Sequence, residues 1–485
     1  MDKFFKISER GSNYRKEIVG GLTTFFAMAY IIFVNPAQVA AEGANGWLAG
    51  LGADSVALGQ IWNSVFIASV LIAAIGTLLY ALYAKLPYAQ ACGMGLNSFF
   101  CTCFISGAYF AGVDLIGGYH SGMVIVFISG VVFLVLSVTG AREYLAKAMP
   151  DCLKKSIPAG IGLFIAFIGL KNAGLVTANQ YTFVQFVDIN GAFSAEGVSA
   201  FEAWQTIAPA VVTFVGFILI SILTKRNVKG AVLIGIIASA VIYYVAMWKV
   251  PELDMSSIGQ AFKDFGEIGI TGLFNAEAWS LAFNGAHIGG IFSAIVLVIS
   301  FCIVDMFDTI GTLYGAATEA GMLDENGDPI DMNKAMACDS IATVSGSVFG
   351  TSTCTTFVEC ASGVAAGART GFASLVTSLC FFVCLFLTPL ANIIPSCATA
   401  PALIFVGVLM LKNFANVDMK DMRSAVPAFL TLIMMPLTYS ISNGIGLGCI
   451  AYVLITLLTG KFTKKDIVAT IISLIFIAKF IFVTM

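Results

Sequence analysis

Long apolar stretches dominate this chain, and its polar positions collect between them. A membrane-crossing helix needs about 20 mostly apolar residues, and such runs lie near 17–40, 60–84, 88–107, 122–140, 154–174, 206–224, 229–249 and 290–317. A second series follows near 335–349, 351–367, 370–390, 398–412, 422–441 and 443–460, with one more apolar run at 466–484. The pattern predicts an all-α polytopic membrane protein with fourteen transmembrane spans and an extra C-terminal segment. It leaves open whether that last segment crosses the bilayer, lies in its interface or covers neighbouring helices.

Composition agrees. Of 485 residues, 59% are hydrophobic and only 11% charged, against about 25% charged in soluble domains. An ordinary soluble enzyme, a disordered chain and a nucleic-acid binder are excluded. The net charge of −3 and the two histidines, His120 and His287, give neither a polybasic surface nor a His-rich metal site. The twelve cysteines lie scattered in apolar runs, as Cys302, Cys380, Cys384 and Cys449 do. There they read as small packing residues, so no metal or cofactor is expected. The N-terminus, Met1-Asp2-Lys3-Phe4-Phe5-Lys6, has no signal-peptide apolar region before its first charges, and the first apolar segment is expected to be a retained helix.

The short loops alternate in charge. One face collects Lys3, Lys6, Arg10, Arg15, Lys16, Lys85, Arg142, Lys147, Lys154, Lys155, Lys225, Arg226, Lys229, Lys334, Arg369, Lys412, Lys420, Arg423, Lys461, Lys464 and Lys465. Only Lys171, Lys249, Lys263 and, in the extra segment, Lys479 fall elsewhere. Positive charge marks the cytoplasmic side, which predicts a multi-pass protein of the cytoplasmic membrane with its N-terminus inside. Half the chain apart, Pro158-Ala159-Gly160-Ile161 runs on to Leu170-Lys171-Asn172, and Pro401-Ala402-Leu403-Ile404 to Leu411-Lys412-Asn413. Lys171 falls outside and Lys412 inside, the mark of a 7+7 inverted repeat, an architecture of secondary transporters that bind substrate at mid-membrane where helices are broken.

Two spans carry such breaks. The third reads Pro87-Tyr88-Ala89-Gln90-Ala91-Cys92-Gly93-Met94-Gly95-Leu96-Asn97; proline and two glycines oppose a continuous helix, and an extended run followed by a half-helix from near Gly95 is expected. The tenth, Phe349-Gly350-Thr351-Ser352-Thr353-Cys354-Thr355-Thr356-Phe357-Val358-Glu359, is β-branched and hydroxyl-rich, which suits a short buried strand. It resumes as a small-residue helix from Ala361, able to pack tightly. Broken backbone at that depth is tolerated only where it lines protein or a polar cavity.

Ionisable residues inside the spans supply the candidate chemistry. Asp305 and Asp308 are three apart in the eighth span, on one helical face, and Glu359 lies in the tenth. A carboxylate at a helix centre costs roughly 2.5–3.5 kcal/mol on insertion scales, so the three need either a function or hydroxyl partners such as Thr309, Thr312, Thr355 and Thr356. With the amide of Asn97 and the rings of Phe357 and Phe25, they suit a flat heteroaromatic ligand with N–H and C=O edges. Burial disfavours an ionised carboxyl group, so such a site can also take up and release a proton. An intramembrane aspartyl protease would want its two aspartates on facing helices, and Asp305 and Asp308 share one. An anion pathway should offer Lys or Arg at the breaks, and Lys85 and Arg369 fall at span ends.

Four motifs together carry a resemblance. Gly20-Gly21-Leu22-Thr23-Thr24-Phe25 through Asn35-Pro36, Gly93-Met94-Gly95-Leu96-Asn97, Asp305-Met306-Phe307-Asp308-Thr309-Ile310-Gly311-Thr312 and Gly350-Thr351-Ser352-Thr353 resemble the nucleobase:cation symporter-2 class, in its AzgA-like branch of adenine, guanine and hypoxanthine permeases. The resemblance covers nearly the whole chain. It implies proton-coupled uptake of purine nucleobases rather than enzymatic chemistry, with an anion or other small-solute carrier on the same fold as the alternative. It implies a core domain of spans 1–4 and 8–11 (residues 1–140 and 290–390) moving against a gate domain of spans 5–7 and 12–14 (141–250 and 391–485). Residues 251–289 are then an extracellular loop, and a homodimer through the gate domain is a further implication. Gly95 and Asn97 match the third-span binding motif, Asp305 the eighth-span acid, Glu359 the tenth-span acid that contacts the base, and Asp308 a second acid, structural or proton-linked. Cys354 departs from the Thr-rich pattern, and Cys360 stands where relatives vary, which leaves the fine specificity open.

Overall fold

The apolar runs become helices because few residues inside them interrupt the backbone ladder, and in lipid that ladder must satisfy itself. The computed structural model describes residues 1–139, 149–179, 181–194, 198–325, 329–460, 462–463 and 466–482. Arg142, Lys147, Lys461, Lys464 and Lys465 of the charge pattern lie outside the described residues.

In chain order the helices of the expected spans are α1 (Tyr14–Met28), α2 (Ile31–Val39), α3 (Ser55–Leu79), α4 (Met94–Phe100), α5 (Leu115–Val138), α6 (Asp151–Asn172), α7 (Ala200–Lys225) and α8 (Ala231–Ala246). They continue with α9 (Ile291–Ala320), α10 (Met332–Phe349), α11 (Cys360–Ala365), α12 (Gly371–Val383), α13 (Ser396–Leu411), α14 (Met422–Leu437), α15 (Ile441–Leu458) and α16 (Asp466–Phe482). Among the described residues, eight helical stretches are long and apolar enough to cross a membrane, and Ala231–Ala246, Gly371–Phe386 and Met422–Leu437 are shorter apolar helices. The first span is interrupted at Ala29–Tyr30, between α1 and α2.

The two breaks read from glycine and threonine are where the strands form. β1 (Gln90–Cys92) leads into α4, which continues as a π-helical turn over Cys101–Ser106. β2 (Val176–Asn179) and β3 (Phe183–Phe186) make an exposed hairpin in the loop after α6. β4 (Cys354–Thr356) precedes α11 and pairs antiparallel with β1, Gln90 opposite Thr356 and Cys92 opposite Cys354. Both strands are buried along their length, so their pairing satisfies backbone groups that would otherwise be orphaned in the protein's interior.

Small residues set the closest helix crossings. A Cβ on Gly363 would lie 2.6 Å from the Gly20 carbonyl oxygen, so α11 packs backbone-close on α1, as its composition predicts. α6 and α13, the helices that begin the two similar segments, cross in the same way: a Cβ on Gly407 would lie 2.5 Å from the Gly162 carbonyl oxygen. α16 runs beside α15, where Lys479 donates to Asn443 Oδ1 at 3.0 Å and Tyr452 donates to Asp466 Oδ1 at 2.8 Å.

Basic loop residues converge at one end of the molecule. Arg10 donates to the carbonyl oxygens of Lys85 (3.0 Å) and Arg369 (3.3 Å) and lies 4.0 Å from Asp331. Lys171 is held differently, its Nζ 4.3 Å from the centre of the Trp47 ring and 4.9 Å from that of Tyr439. Residues 251–289, expected as an extracellular loop between spans, carry helices Ser257–Asp264 and Ala276–Asn284. Buried Ser257, Ala261, Asp264, Phe265 and Ile268 recur at helical spacing, so the segment lies on the protein by one face. Asn63 anchors it by donating to Asp264 at 2.8 Å. The histidines serve local contacts, His120 Nε2 lying 2.8 Å from the Ile268 carbonyl and His287 Nε2 2.8 Å from Ser121 Oγ.

Candidate substrate site at the crossed breaks

The β1–β4 ribbon brings the two interruptions side by side. Gly93, at the end of β1, donates its N–H to the Thr353 carbonyl at 3.0 Å, and Phe357 donates to the Ala89 carbonyl at 3.2 Å. The two half-helices therefore start from opposite ends of one ribbon, α4 after Gly93 and α11 after Glu359.

Glu359 caps this arrangement. Its Oε1 accepts a 2.7 Å hydrogen bond from the hydroxyl of Tyr30, the residue at the interruption of the first span. Asp308 is 6% exposed; a Cβ on Gly93 would lie 3.6 Å from its Oδ2 and 3.7 Å from Thr353 Oγ1. One turn beyond Gly93, Asn97 is fully buried and accepts from the Ser352 hydroxyl through Oδ1. Its Nδ2 and the Thr353 hydroxyl are buried without hydrogen-bond partners among the described residues. Unpaired buried donors are costly, and the Thr353 hydroxyl stands with Asp308 Oδ2 around Gly93.

Asp305 faces another neighbour. Thr343 on α10 donates to its Oδ2 at 3.0 Å and also accepts from the Cys354 N–H at 3.1 Å, so Asp305 is tied through Thr343 to β4. The hydroxyls expected to satisfy the acids mostly bond elsewhere. Thr309 donates to Asp339 and lies 3.0 Å from Thr355, Thr312 donates to the Asp308 carbonyl at 2.9 Å, and Thr356 pairs with the Tyr80 hydroxyl at 2.6 Å. A helical residue's hydroxyl reaches back to its own preceding turn or across to the helix it faces, and sequence proximity does not select which.

Gly95 is where other helices press on α4: a Cβ there would lie 2.7 Å from Ile161 Cγ2 of α6 and 3.2 Å from Ile441 Cδ1 of α15. Phe357 is buried two residues before Glu359. Phe25 stacks edge-on with Phe381 of α12 at 5.3 Å, a helix-packing contact. The residue of the first span that reaches the acid is Tyr30 instead.

Three further residues escaped the sequence reading. Tyr30 looked like one more aromatic of an apolar run. Asp339, fully buried on α10, is joined to Thr309; a carboxylate inside the run 335–349 was the available signal. Glu17, also fully buried, accepts from the N–H groups of Arg369 (2.9 Å), Thr370 (3.3 Å) and Ala373 (3.2 Å), capping α12.

A family model described as "Permease family" (Xan_ur_permease) matches residues 15–447. The guanine/hypoxanthine permease PbuG of Bacillus subtilis is 39% identical over 99% of this chain and 100% of its own length. The adenine permease AdeP of Escherichia coli is 35% identical over 100% of this chain and 96% of its own. The solved transmembrane domain of a cyanobacterial bicarbonate transporter, BicA, shares the fold with a TM-score of 0.57 at 15% identity, covering 91% of this chain and 97% of that one.

Proposed function

Because this chain belongs to the Xan_ur_permease family of transporters, the nucleobase:cation symporter-2 class, we propose that it takes up purine nucleobases by proton-coupled alternating access. The observation that carries the proposal is the set of buried polar groups gathered on the β1–β4 ribbon: Glu359, held by Tyr30, Asp308, beside Gly93 and Thr353, and Asn97, whose Nδ2 has no partner among the described residues. Carboxylates accept from the ring N–H and exocyclic amine of a purine, the Asn97 amide donates to a ring nitrogen or carbonyl, and Phe357 offers an aromatic face. A buried acid that releases its proton only when the site opens to the other side couples the two fluxes.

In this reading the chain crosses the cytoplasmic membrane fourteen times as two inverted sets of seven, with its N-terminus inside. The core carries the site, and the gate presses on it at Gly95 through Ile161 and Ile441. Exposed apolar residues of the gate, such as Phe214 and Ile218 on α7 and Ile237 and Val241 on α8, face lipid or a second copy in a homodimer. No cofactor takes part beyond the coupling ion, H⁺. An anion pathway fits less well: Lys85 and Arg369, the basic residues nearest the breaks in sequence, are gathered with Arg10 at one end.

The test is a competition panel. Cells lacking their own purine permeases and expressing this chain should accumulate radiolabelled hypoxanthine, compete it with purines but not pyrimidines, and lose accumulation with a protonophore. Accumulation insensitive to the protonophore overturns proton coupling, and the absence of purine uptake at normal expression overturns the substrate class.

A further inference from the structure

A cavity of about 260 Å³ lies beside α4 on the other side of Gly95 from β1. Its lining includes Gln38, Trp47, Ser98, Thr102, Lys171 and Tyr439, and none of Asn97, Asp305, Asp308 or Glu359. Two of these polar side chains have no hydrogen-bond partner among the described residues. Gln38 is 5% exposed with both amide atoms unpartnered, and Ser98 is 5% exposed with its hydroxyl unpartnered. They come from different helices, α2 and α4, and line the same space. Buried polar groups are ordinarily paired, so two orphans among the residues that line one cavity point to a ligand.

The other walls describe that ligand. Trp47 and Tyr439 present aromatic rings, and the Lys171 ammonium stands 4.3 Å and 4.9 Å from their centres. Tyr439 holds a left-handed backbone (φ +52°), a conformation that concentrates at functional sites. A free amide presents a donor and an acceptor side by side, the complement of a lactam N–H and C=O edge. The rings offer stacking faces, and an ammonium donates to a carbonyl oxygen. The volume lies just under the roughly 300–1,000 Å³ of drug-sized pockets, which suits a free base better than a nucleoside.

We propose that this cavity is a second nucleobase site, an outer staging site that holds a carbonyl-bearing purine before it reaches the central one. The assignment rests on the functional reading above, whose charge pattern puts Lys171 on the extracellular side. The two sites share α4: Asn97 serves the central site and its neighbour Ser98 the outer one. Gly95, pressed by Ile161 and Ile441, lies one turn away on the same helix. Rocking of the gate that frees Gly95 would then join the sites.

The experiment uses the full chain in lipid nanodiscs with radiolabelled hypoxanthine in equilibrium dialysis and tryptophan fluorescence as a second readout. Glu359→Gln is expected to lose the tighter site and keep one weaker hypoxanthine site whose filling quenches fluorescence. Adding Gln38→Ala should weaken that remaining site at least tenfold, adding Trp47→Phe should abolish the quench, and Ser98→Ala serves in place of Gln38→Ala if the latter does not fold. Binding to the wild type that vanishes entirely in Glu359→Gln overturns the outer site and leaves the proposed function standing. Residual binding indifferent to Gln38→Ala, Ser98→Ala and Trp47→Phe overturns it too. A folded wild type that binds no hypoxanthine removes the functional reading and the outer site with it.

Discussion

Tyr30 and Glu359, 329 residues apart in the chain, are joined by a 2.7 Å hydrogen bond from phenol to carboxylate. The contact locks the interruption of the first span onto the N-terminal end of α11, so the carboxylate that would meet the substrate has one orientation. A hydrogen bond to a charged group is worth about 1.5–3 kcal/mol. Tyr30→Phe is therefore expected to raise the KM for purine uptake roughly tenfold or more while surface expression stays normal. Unchanged uptake kinetics would remove Tyr30 from the site.

The two eighth-span acids should behave differently. Asp305 is bonded to Thr343, which also holds the Cys354 N–H, so Asp305→Asn disturbs β4 as well as the site. It is expected to lose base binding and to melt at a lower temperature in detergent. Asp308 lies against Gly93, and Asp308→Asn should still exchange labelled base across the membrane but lose the response to a proton gradient. Counterflow and gradient-driven uptake, measured side by side, separate the two.

Gly95 tests the moving contact. A methyl group at this position would lie 2.7 Å from Ile161 Cγ2, closer than side chains approach without displacement. Gly95→Ala should cut transport strongly, and Ile161→Ala in the same chain should restore part of it by making room. Failure of the second change to restore transport, with both proteins folded, would show that Gly95 is needed for something other than space.

Much of this arrangement was legible in the sequence. Proline and glycine near Gly93 and the hydroxyl-rich run before Glu359 located both breaks, and small residues forecast the close packing of α11. The partners were not legible, because they come from afar: nothing near Glu359 in the chain points to Tyr30, and nothing near Thr370 points to Glu17. Phe25 was read as a stacking face on residue type alone, and its ring instead packs on Phe381. The segment 251–289 was expected only as a connection between spans, and the helical spacing of its buried residues is what lays one face of it on the protein.

Glu17 illustrates a buried acid with a structural role. Its carboxylate takes three backbone N–H groups at the start of α12, and Glu17→Ala leaves them unpaired in the interior. The variant should lose about 1–3 kcal/mol of stability, read as a fall in melting temperature, while the KM of the fraction that reaches the membrane stays near wild type. Glu17→Gln, which keeps one acceptor oxygen, should fall between. A large change in KM with normal stability would instead make Glu17 part of the transport machinery.

The central claim is that Glu359, a buried carboxylate at the crossed breaks, binds the base and shares the coupling proton with Asp308. Its most direct test is hypoxanthine uptake into proteoliposomes under an imposed inward proton gradient, for the wild type and for Glu359→Gln reconstituted to equal density. The account predicts gradient-driven accumulation by the wild type, collapse of that accumulation with a protonophore, and little or no uptake by Glu359→Gln although it inserts normally. Accumulation by Glu359→Gln at the wild-type rate with the same dependence on the gradient would contradict it.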